Sequence, residues 1–115
     1  MNHKELDVWK LSMQFVVDIY EITKSFPQSE QFGLTNQLRR SAVSIPSNVA
    51  EGAVREHTKE YKQFLSIARG SAAESETQLL IAQSLSYIDE EVTELILEKN
   101  KRILMMLTAM VRKMR

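Results

Sequence analysis

Apolar residues recur along this chain at the three- and four-residue spacing that is typical of amphipathic α-helices. The clearest stripe predicts a second helix and consists of Leu34, Leu38, Ala42, Ile45, Val49 and Ala53. The same spacing predicts a first helix from Lys4 to Phe26, a third from Thr58 to Tyr87 and a fourth that begins after Asp89. The pattern therefore predicts an all-α fold, an up-and-down antiparallel four-helix bundle.

Start and stop signals set the expected helix limits. Pro27 ends the first helix, and Thr35 and Thr58 are the predicted N-caps of the second and third helices. Asp89, followed by two glutamates, marks the start of the fourth helix because acidic side chains stabilise a helix N-terminus.

Pro46 lies inside the second apolar stripe. Proline cannot donate the hydrogen bond to the Ala42 carbonyl, and its ring crowds that carbonyl. Because the stripe continues through Pro46, we expect one helix with a proline kink. The alternative is a helix that ends near Ser44 and restarts at Pro46, since proline suits a first helical turn.

The first and third helices carry unusual faces. The first has two adjacent apolar rows: Leu6, Trp9, Met13, Val16 and Tyr20, beside Val8, Phe15, Ile19, Ile22 and Phe26. The third has a predicted buried face that ends at Leu79, Ala82 and Leu85, and the residues in the middle of this face, around Gly70, have small side chains. Small residues allow a neighbouring backbone to come close, so we expect close packing there.

The fourth helix carries an apolar stripe that includes Leu95, and it also contains a run of five consecutive apolar residues: Ile103, Leu104, Met105, Met106 and Leu107. Such a run covers more than one turn, whereas a surface helix of a monomeric bundle has polar residues on its outer side. Burial on all sides is one explanation. We favour an oligomer interface, in which part of the fourth or first helix faces another subunit.

Length and composition narrow the protein class. The 115 residues predict a single domain, 1–115, and the 43% apolar content is enough for a core. The chain has no cysteine, its N-terminus is charged, and no apolar run approaches the roughly 20 residues that span a bilayer. We therefore expect a cytoplasmic protein that has no membrane partner.

Charge is unevenly distributed although the formal net charge is zero. Residues 88–98 hold five acids and no base, and residues 99–115 hold six bases and no acid. The bases are Lys99, Lys101, Arg102, Arg112, Lys113 and Arg115. Complementarity to the helix dipole explains this order. The alternative is that the bases form a phosphate-binding patch.

No residue pattern indicates catalysis. The two histidines, His3 and His57, lie near the N-terminus and in a predicted loop, and neither belongs to a metal-binding motif. The chain also lacks a glycine-rich phosphate loop. We therefore expect a protein that is not an enzyme and that uses no cofactor or metal.

The segment RRSAVSIPSNVAEG, residues 39–52, places polar side chains beside the second apolar stripe. Half-buried charges need partners. We expect Arg39 or Arg40 to pair with Glu74 or Glu76 of the third helix, and Asn48 to bond to backbone freed by the kink. The alternative is that the arginines, with Arg55, bind phosphate.

These segments resemble a family of small four-helix bundles named for open reading frames within intervening sequences of bacterial 23S rRNA genes. The matching stretches are DVWK (7–10), IYEIT (19–23), SFPQSEQFGLTNQLRRSAVSIPSNVAEG (25–52), Tyr61–Leu65, GSAAESETQL (70–79) and LSYID (85–89). The family pattern falls on Arg39, Arg40, Ser44, Pro46, Asn48, Glu51, Gly52, Gly70, Ser71, Glu74 and Glu76.

The resemblance implies a homopentamer, because family members are similar to subunits that form a five-fold barrel. A related accessory protein of diversity-generating retroelements binds nucleic acid and a reverse transcriptase. We therefore expect an oligomer associated with RNA or DNA through basic surfaces. The alternative is an adaptor that presents a surface to a protein such as a polymerase. No aromatic platform for base stacking is evident in the sequence.

Overall fold

Four long α-helices make up most of the chain in the computed structural model, which describes residues 2–114. They are α1 (Asp7–Thr23), α2 (Leu34–Ala53), α3 (Thr58–Ser84) and α4 (Glu90–Lys113). Short 3-10 helices precede α1 (His3–Glu5) and α2 (Gln28–Glu30). Each long helix packs against two others, so that α1 and α3 both lie between α2 and α4.

Two helix pairs run in opposite directions. Ser41 and Ser44 of α2 contact Ser75 and Ser71 of α3, so residue numbers rise along one helix as they fall along the other. In the pair of α1 and α4, Asp18 contacts Lys99, and residues 6–8 lie beside residues 106–110. The start of α1 and the end of α4 therefore lie at one end of the molecule.

The core lies on the faces where the four helices meet. The predicted stripe of α2 is confirmed, since Leu38, Ala42, Ile45 and Val49 are fully buried. On α1 the row that contains Phe15 forms the core, whereas Met13 and Tyr20 of the other row are exposed. Leu85 and Leu95, which we expected to be buried, are also exposed: Leu85 follows the last residue of α3, and Leu95 lies on the outer side of α4.

Helix α2 is continuous through Pro46, which is buried. The interpretation of one helix is therefore confirmed, and the alternative of a break near Ser44 is wrong. Burial of Ile45 and Val49 on either side of the proline explains this result, because tertiary packing compensates for one lost backbone hydrogen bond.

The predicted limits of the other helices need small corrections. The first helix is shorter than Lys4–Phe26 because Leu6 adopts an extended backbone between the 3-10 helix and α1. Helix α3 ends at Ser84, before Tyr87, where Ser86 adopts a φ of 63° and turns the chain. At Asp89 the expectation is confirmed: its Oδ1 accepts a hydrogen bond from the Val92 N–H at 2.8 Å.

Neither predicted threonine cap forms. Thr35 lies buried inside α2, and the N–H of Leu34 donates instead to Glu30 Oε1 at 3.0 Å. The Tyr87 hydroxyl donates to Glu30 Oε2 at 2.9 Å. The 3-10 turn brings Glu30 to the start of α2, so a residue four positions earlier supplies the cap. Thr58 is the first residue of α3, and His57 takes the N-cap position without a side-chain bond.

Candidate functional site

A row of short polar side chains joins α2 to α3. Ser41 Oγ lies 2.8 Å from Ser75 Oγ, and Ser44 Oγ lies 2.7 Å from Ser71 Oγ. Ser41 also donates to Gln78 Oε1 at 2.7 Å. Serine hydroxyls are short, so the two helices must lie close together for these bonds to form.

The close contact leaves a groove along its outer side. The groove has a volume of about 620 Å³. Its lining residues are Phe32, Asn36, Gln37, Arg40, Ser41, Ser44, Ser71, Glu74 and Gln78. This volume falls within the range of about 300–1,000 Å³ that is usual for ligand pockets. Because the groove also brings polar and charged side chains of α2 and α3 together, it is the candidate site.

The two arginines of the motif diverge. Arg39 turns toward α1, where its Nε donates to Thr23 Oγ1 at 2.8 Å and its guanidinium lies over the Tyr20 ring. Arg40 is exposed and lines the groove, as does Glu74. Within residues 2–114, neither arginine forms an ion pair with Glu74 or Glu76, so the predicted pairing with the third helix is wrong. Serine hydroxyl bonds occupy the contact instead.

Other members of the motif stabilise α2 locally. Asn48 Nδ2 donates to the carbonyl and to the hydroxyl of Ser44, at 2.8 and 2.9 Å. The expected bond to backbone freed by the proline is therefore wrong, because Asn48 bonds to the Ser44 carbonyl and not to the Ala42 carbonyl that Pro46 leaves without a donor. Glu51 forms an ion pair at 3.4 Å with Arg55, which lies just after the end of α2.

The two glycines of the pattern have different surroundings. A Cβ added at Gly52 would lie 2.9 Å from Phe64 Cβ and 2.9 Å from Tyr61 Cδ1. Gly52 therefore permits the close approach of α3. A Cβ added at Gly70 would meet no atom within 4 Å, so the close packing that we expected around Gly70 does not occur within this chain. Gly70 lies on the outer face of α3.

Phe32 is the functional candidate that the sequence reasoning missed. Its side chain is 88% exposed, and it lines the same groove as Arg40. A phenylalanine at this exposure is an aromatic surface open to ligands, contrary to the expectation that none was available. Its position in the sequence could have indicated this exposure, because Phe32 is the one aromatic residue in the polar loop PQSEQFG and lies outside every helical stripe.

The candidate bases of α4 are mostly exposed. Lys99 is the exception, since its Nζ lies 2.6 Å from Asp18 Oδ2 on α1. The other four form no ion pair with another described residue and are Lys101, Arg102, Arg112 and Lys113. Arg115 lies outside the described residues. Arg55 at the end of α2 lies at the same end of the bundle as Arg112 and Lys113.

The five-residue apolar run of α4 is only partly exposed. Ile103 and Leu107 are fully buried, and Leu104 and Met106 pack against the core. Met105 is 63% exposed. The run is therefore not buried on all sides, and Met105 is the member available to a second molecule.

Two further features of the described residues bear on the protein class. Among them, no three His, Asp or Glu side chains converge in a way that would hold a metal ion. No helix in residues 2–114 combines the length and the apolar character that crossing a membrane requires.

Comparison with known proteins places these features in context. A family model described as 23S rRNA-intervening sequence protein matches residues 4–109. A crystal structure of a protein of unknown function from Bacteroides thetaiotaomicron, assigned to the S23 ribosomal protein family, is similar with a TM-score of 0.82. The two sequences are 26% identical over 90% of this chain and 97% of that one. A comparison with curated protein sequences finds no match.

Proposed function

The chain belongs to the 23S rRNA-intervening sequence protein family, and we propose that it is a non-enzymatic, homo-oligomeric protein that binds RNA. The observation that carries the proposal is the position of Arg40 and Phe32 on one polar groove. A guanidinium without a carboxylate partner is suited to phosphate, and an exposed aromatic ring is suited to a base. The two groups together match the chemistry of a single-stranded nucleotide.

Exposed bases elsewhere supply further phosphate contacts. Arg112 and Lys113 end α4 at the same end of the bundle as Arg55. Each phosphate contact releases counterions, so binding through these residues depends strongly on salt. Lys99 and Arg55 contribute less because they already pair with Asp18 and Glu51.

Assembly raises the affinity for RNA of a chain whose formal net charge is zero. In the proposal each subunit is an up-and-down antiparallel bundle with α2 bent at Pro46, and the subunits form a cytoplasmic homopentamer. Several weak sites on one particle bind a long RNA with avidity, since later contacts become intramolecular. Met105 lies on the proposed interface, and Met105→Glu should lower the native mass while leaving the helical content unchanged.

The test is RNA binding titrated against salt, with the native mass measured in the same buffer. We expect affinity to fall linearly on a log–log plot and the slope to become shallower when Lys101, Arg102, Arg112 and Lys113 are changed to glutamine. Each lost phosphate contact reduces the slope by about 0.7 for single strands. Lys24→Gln is the control, because Lys24 pairs with Glu21 away from these bases. Absence of binding by an intact oligomer at low salt would refute the proposal.

A protein adaptor is the second candidate. Val17 on α1 and Leu95 on α4 are 59% and 70% exposed, and exposed apolar side chains favour a protein partner when they lie on one surface. Retention of a polymerase after nuclease treatment, with loss of retention in Leu95→Ser, would favour this function over RNA binding.

A further inference from the structure

We propose that the groove between α2 and α3 binds an unpaired guanine, stacked on Phe32 and read by Glu74. The inference rests on the proposed RNA binding and names the base that the site prefers. Single-stranded RNA is commonly recognised in this way, by stacking on an aromatic side chain and hydrogen bonds to the base edge.

Glu74 selects the base. An ionised carboxylate is only an acceptor, with two oxygens side by side. Guanine offers two neighbouring donors on its Watson–Crick edge, N1–H and the N2 amino group. On the same edge adenine, cytosine and uracil each place an acceptor beside a single donor group, so none of them satisfies both carboxylate oxygens. Glu74 forms no hydrogen bond or ion pair with any other residue in the described range 2–114, so both oxygens are available.

Gln78 suits the remaining group on the Watson–Crick edge of guanine, the O6 acceptor. Its Oε1 accepts from the Ser41 hydroxyl at 2.7 Å, and Ser41 is buried against Ser75. With its Oε1 accepting this bond, the amide keeps two N–H donors on Nε2. Guanine O6, which is an acceptor next to N1–H, fits such a donor. Adenine has an amino group at that position, so the fixed amide opposes adenine.

Phe32 and Arg40 supply the contacts that do not depend on sequence. Base stacking on an aromatic ring tolerates every base because each has a π-face. Arg40 is exposed on the same groove and forms no ion pair with another described residue, so its guanidinium can take the phosphate.

The groove has room for a strand rather than only a base. A second cavity of about 450 Å³ adjoins it, and both are lined by Gln37, Glu74 and Gln78. The second cavity runs past Gly70, where no side chain projects. A flanking nucleotide of the same strand can therefore continue along α3.

The experiment compares short pyrimidine RNAs that carry one central guanine, adenine or inosine, measured by fluorescence anisotropy. We expect guanine to bind about tenfold more tightly than adenine, as a bidentate base contact gives. Inosine lacks the N2 amino group and should lie between them. Glu74→Gln should reduce the preference for guanine over adenine to the smaller part that Gln78 provides, because the amide presents only one acceptor oxygen.

The controls separate this inference from the general function. Glu76→Gln makes the same change on an exposed residue of α3 that does not line the groove, and it should keep the preference for guanine. Phe32→Ala should weaken binding of all three RNAs, whereas Leu95→Ala, an exposed apolar residue on α4, should not. Salt-dependent binding with equal affinity for guanine and adenine would overturn the guanine site but not RNA binding. Failure of every RNA to bind at low salt would overturn both.

Discussion

Ser44 Oγ on α2 lies 2.7 Å from Ser71 Oγ on α3, and this hydroxyl pair helps to fix the contact beside which the groove forms. Asn48 donates to the same Ser44 hydroxyl at 2.9 Å. The close spacing between the helices at this point therefore depends on hydrogen bonds between short side chains and not on an ion pair.

Ser44→Ala should lower the free energy of unfolding by about 1–3 kcal/mol, because the nearly buried Ser71 hydroxyl loses this partner. Urea denaturation measures the change. Ser47→Ala, on the exposed side of α2, should change stability by less than about 0.5 kcal/mol. The double variant Ser44→Ala/Ser71→Ala should lose less than the sum of the single losses, and strict additivity would show that the two hydroxyls are not coupled.

Gly52 and Gly70 should respond oppositely to alanine. Gly52→Ala places a methyl group 2.9 Å from Phe64 Cβ, and overpacking of this kind costs about 1–3 kcal/mol. Gly70→Ala adds its methyl group to open space and should stabilise the helix by about 0.8–1 kcal/mol. Thermal unfolding of both variants provides the comparison. A loss of stability in Gly70→Ala would mean that another subunit occupies the space beside Gly70.

Glu30 should make the free energy of unfolding depend on pH in the acidic range. The Leu34 N–H and the Tyr87 hydroxyl both donate to its carboxylate and lower the pKa of Glu30 below the ordinary value. The stabilisation is fully present above the unfolded-state pKa and disappears as pH falls through the lower folded-state pKa. Glu30→Gln should therefore flatten the acidic limb of a plot of unfolding free energy against pH. Glu56→Gln, an exposed change near the start of α3, should retain that limb.

Tyr87 should cause a separate decrease in the free energy of unfolding at alkaline pH, which appears as an alkaline limb in the same plot. Its hydrogen bond to Glu30 and, to a smaller extent, burial and the Glu30 charge raise the pKa of Tyr87 above the ordinary value. The contribution is complete below the unfolded-state pKa and is lost as pH rises through the raised folded-state pKa. Tyr87→Phe should remove this limb in the same denaturation series. An unchanged alkaline limb would show that other groups cause it.

Asn100 is a buried polar residue at the contact between α3 and α4. It is fully buried, and its Nδ2 donates to the Ala72 carbonyl at 3.0 Å. Asn100→Asp would set a carboxylate against that carbonyl oxygen and should destabilise the fold by several kcal/mol at neutral pH. Asn100→Leu has a similar volume and no charge, so its loss should be smaller. Equal losses in the two variants would contradict this role of the amide.

The buried face of α2 could be predicted from the helical spacing of its apolar residues. Leu38, Ala42, Ile45 and Val49 share one helical face, and the structure buries all four. Periodicity did not say which of two adjacent rows on α1 faces inward, because that depends on where α2 and α4 pack. Phe15 proved to be core and Met13 exposed.

Loop geometry and side-chain reach were harder to predict. The cap at Asp89 could be predicted because this residue immediately precedes its helix. Glu30 caps α2 from a 3-10 turn, and the spacing of apolar residues does not predict where such a turn lies. Arg39 and Arg40 are neighbours in sequence but lie about 100° apart around the helix, so one reaches α1 and the other the groove. Phe32 could not be placed because loop residues have no repeating face.

The most direct measurement is photocrosslinking of the oligomer to a short guanine-containing RNA at low salt, followed by mass spectrometry of the crosslinked peptides. If RNA lies in the groove between α2 and α3, the peptide that contains Phe32 should carry the nucleotide, and Phe32→Leu should remove that adduct. Bound RNA that crosslinks only to peptides remote from the groove, such as the start of α1, would contradict the site.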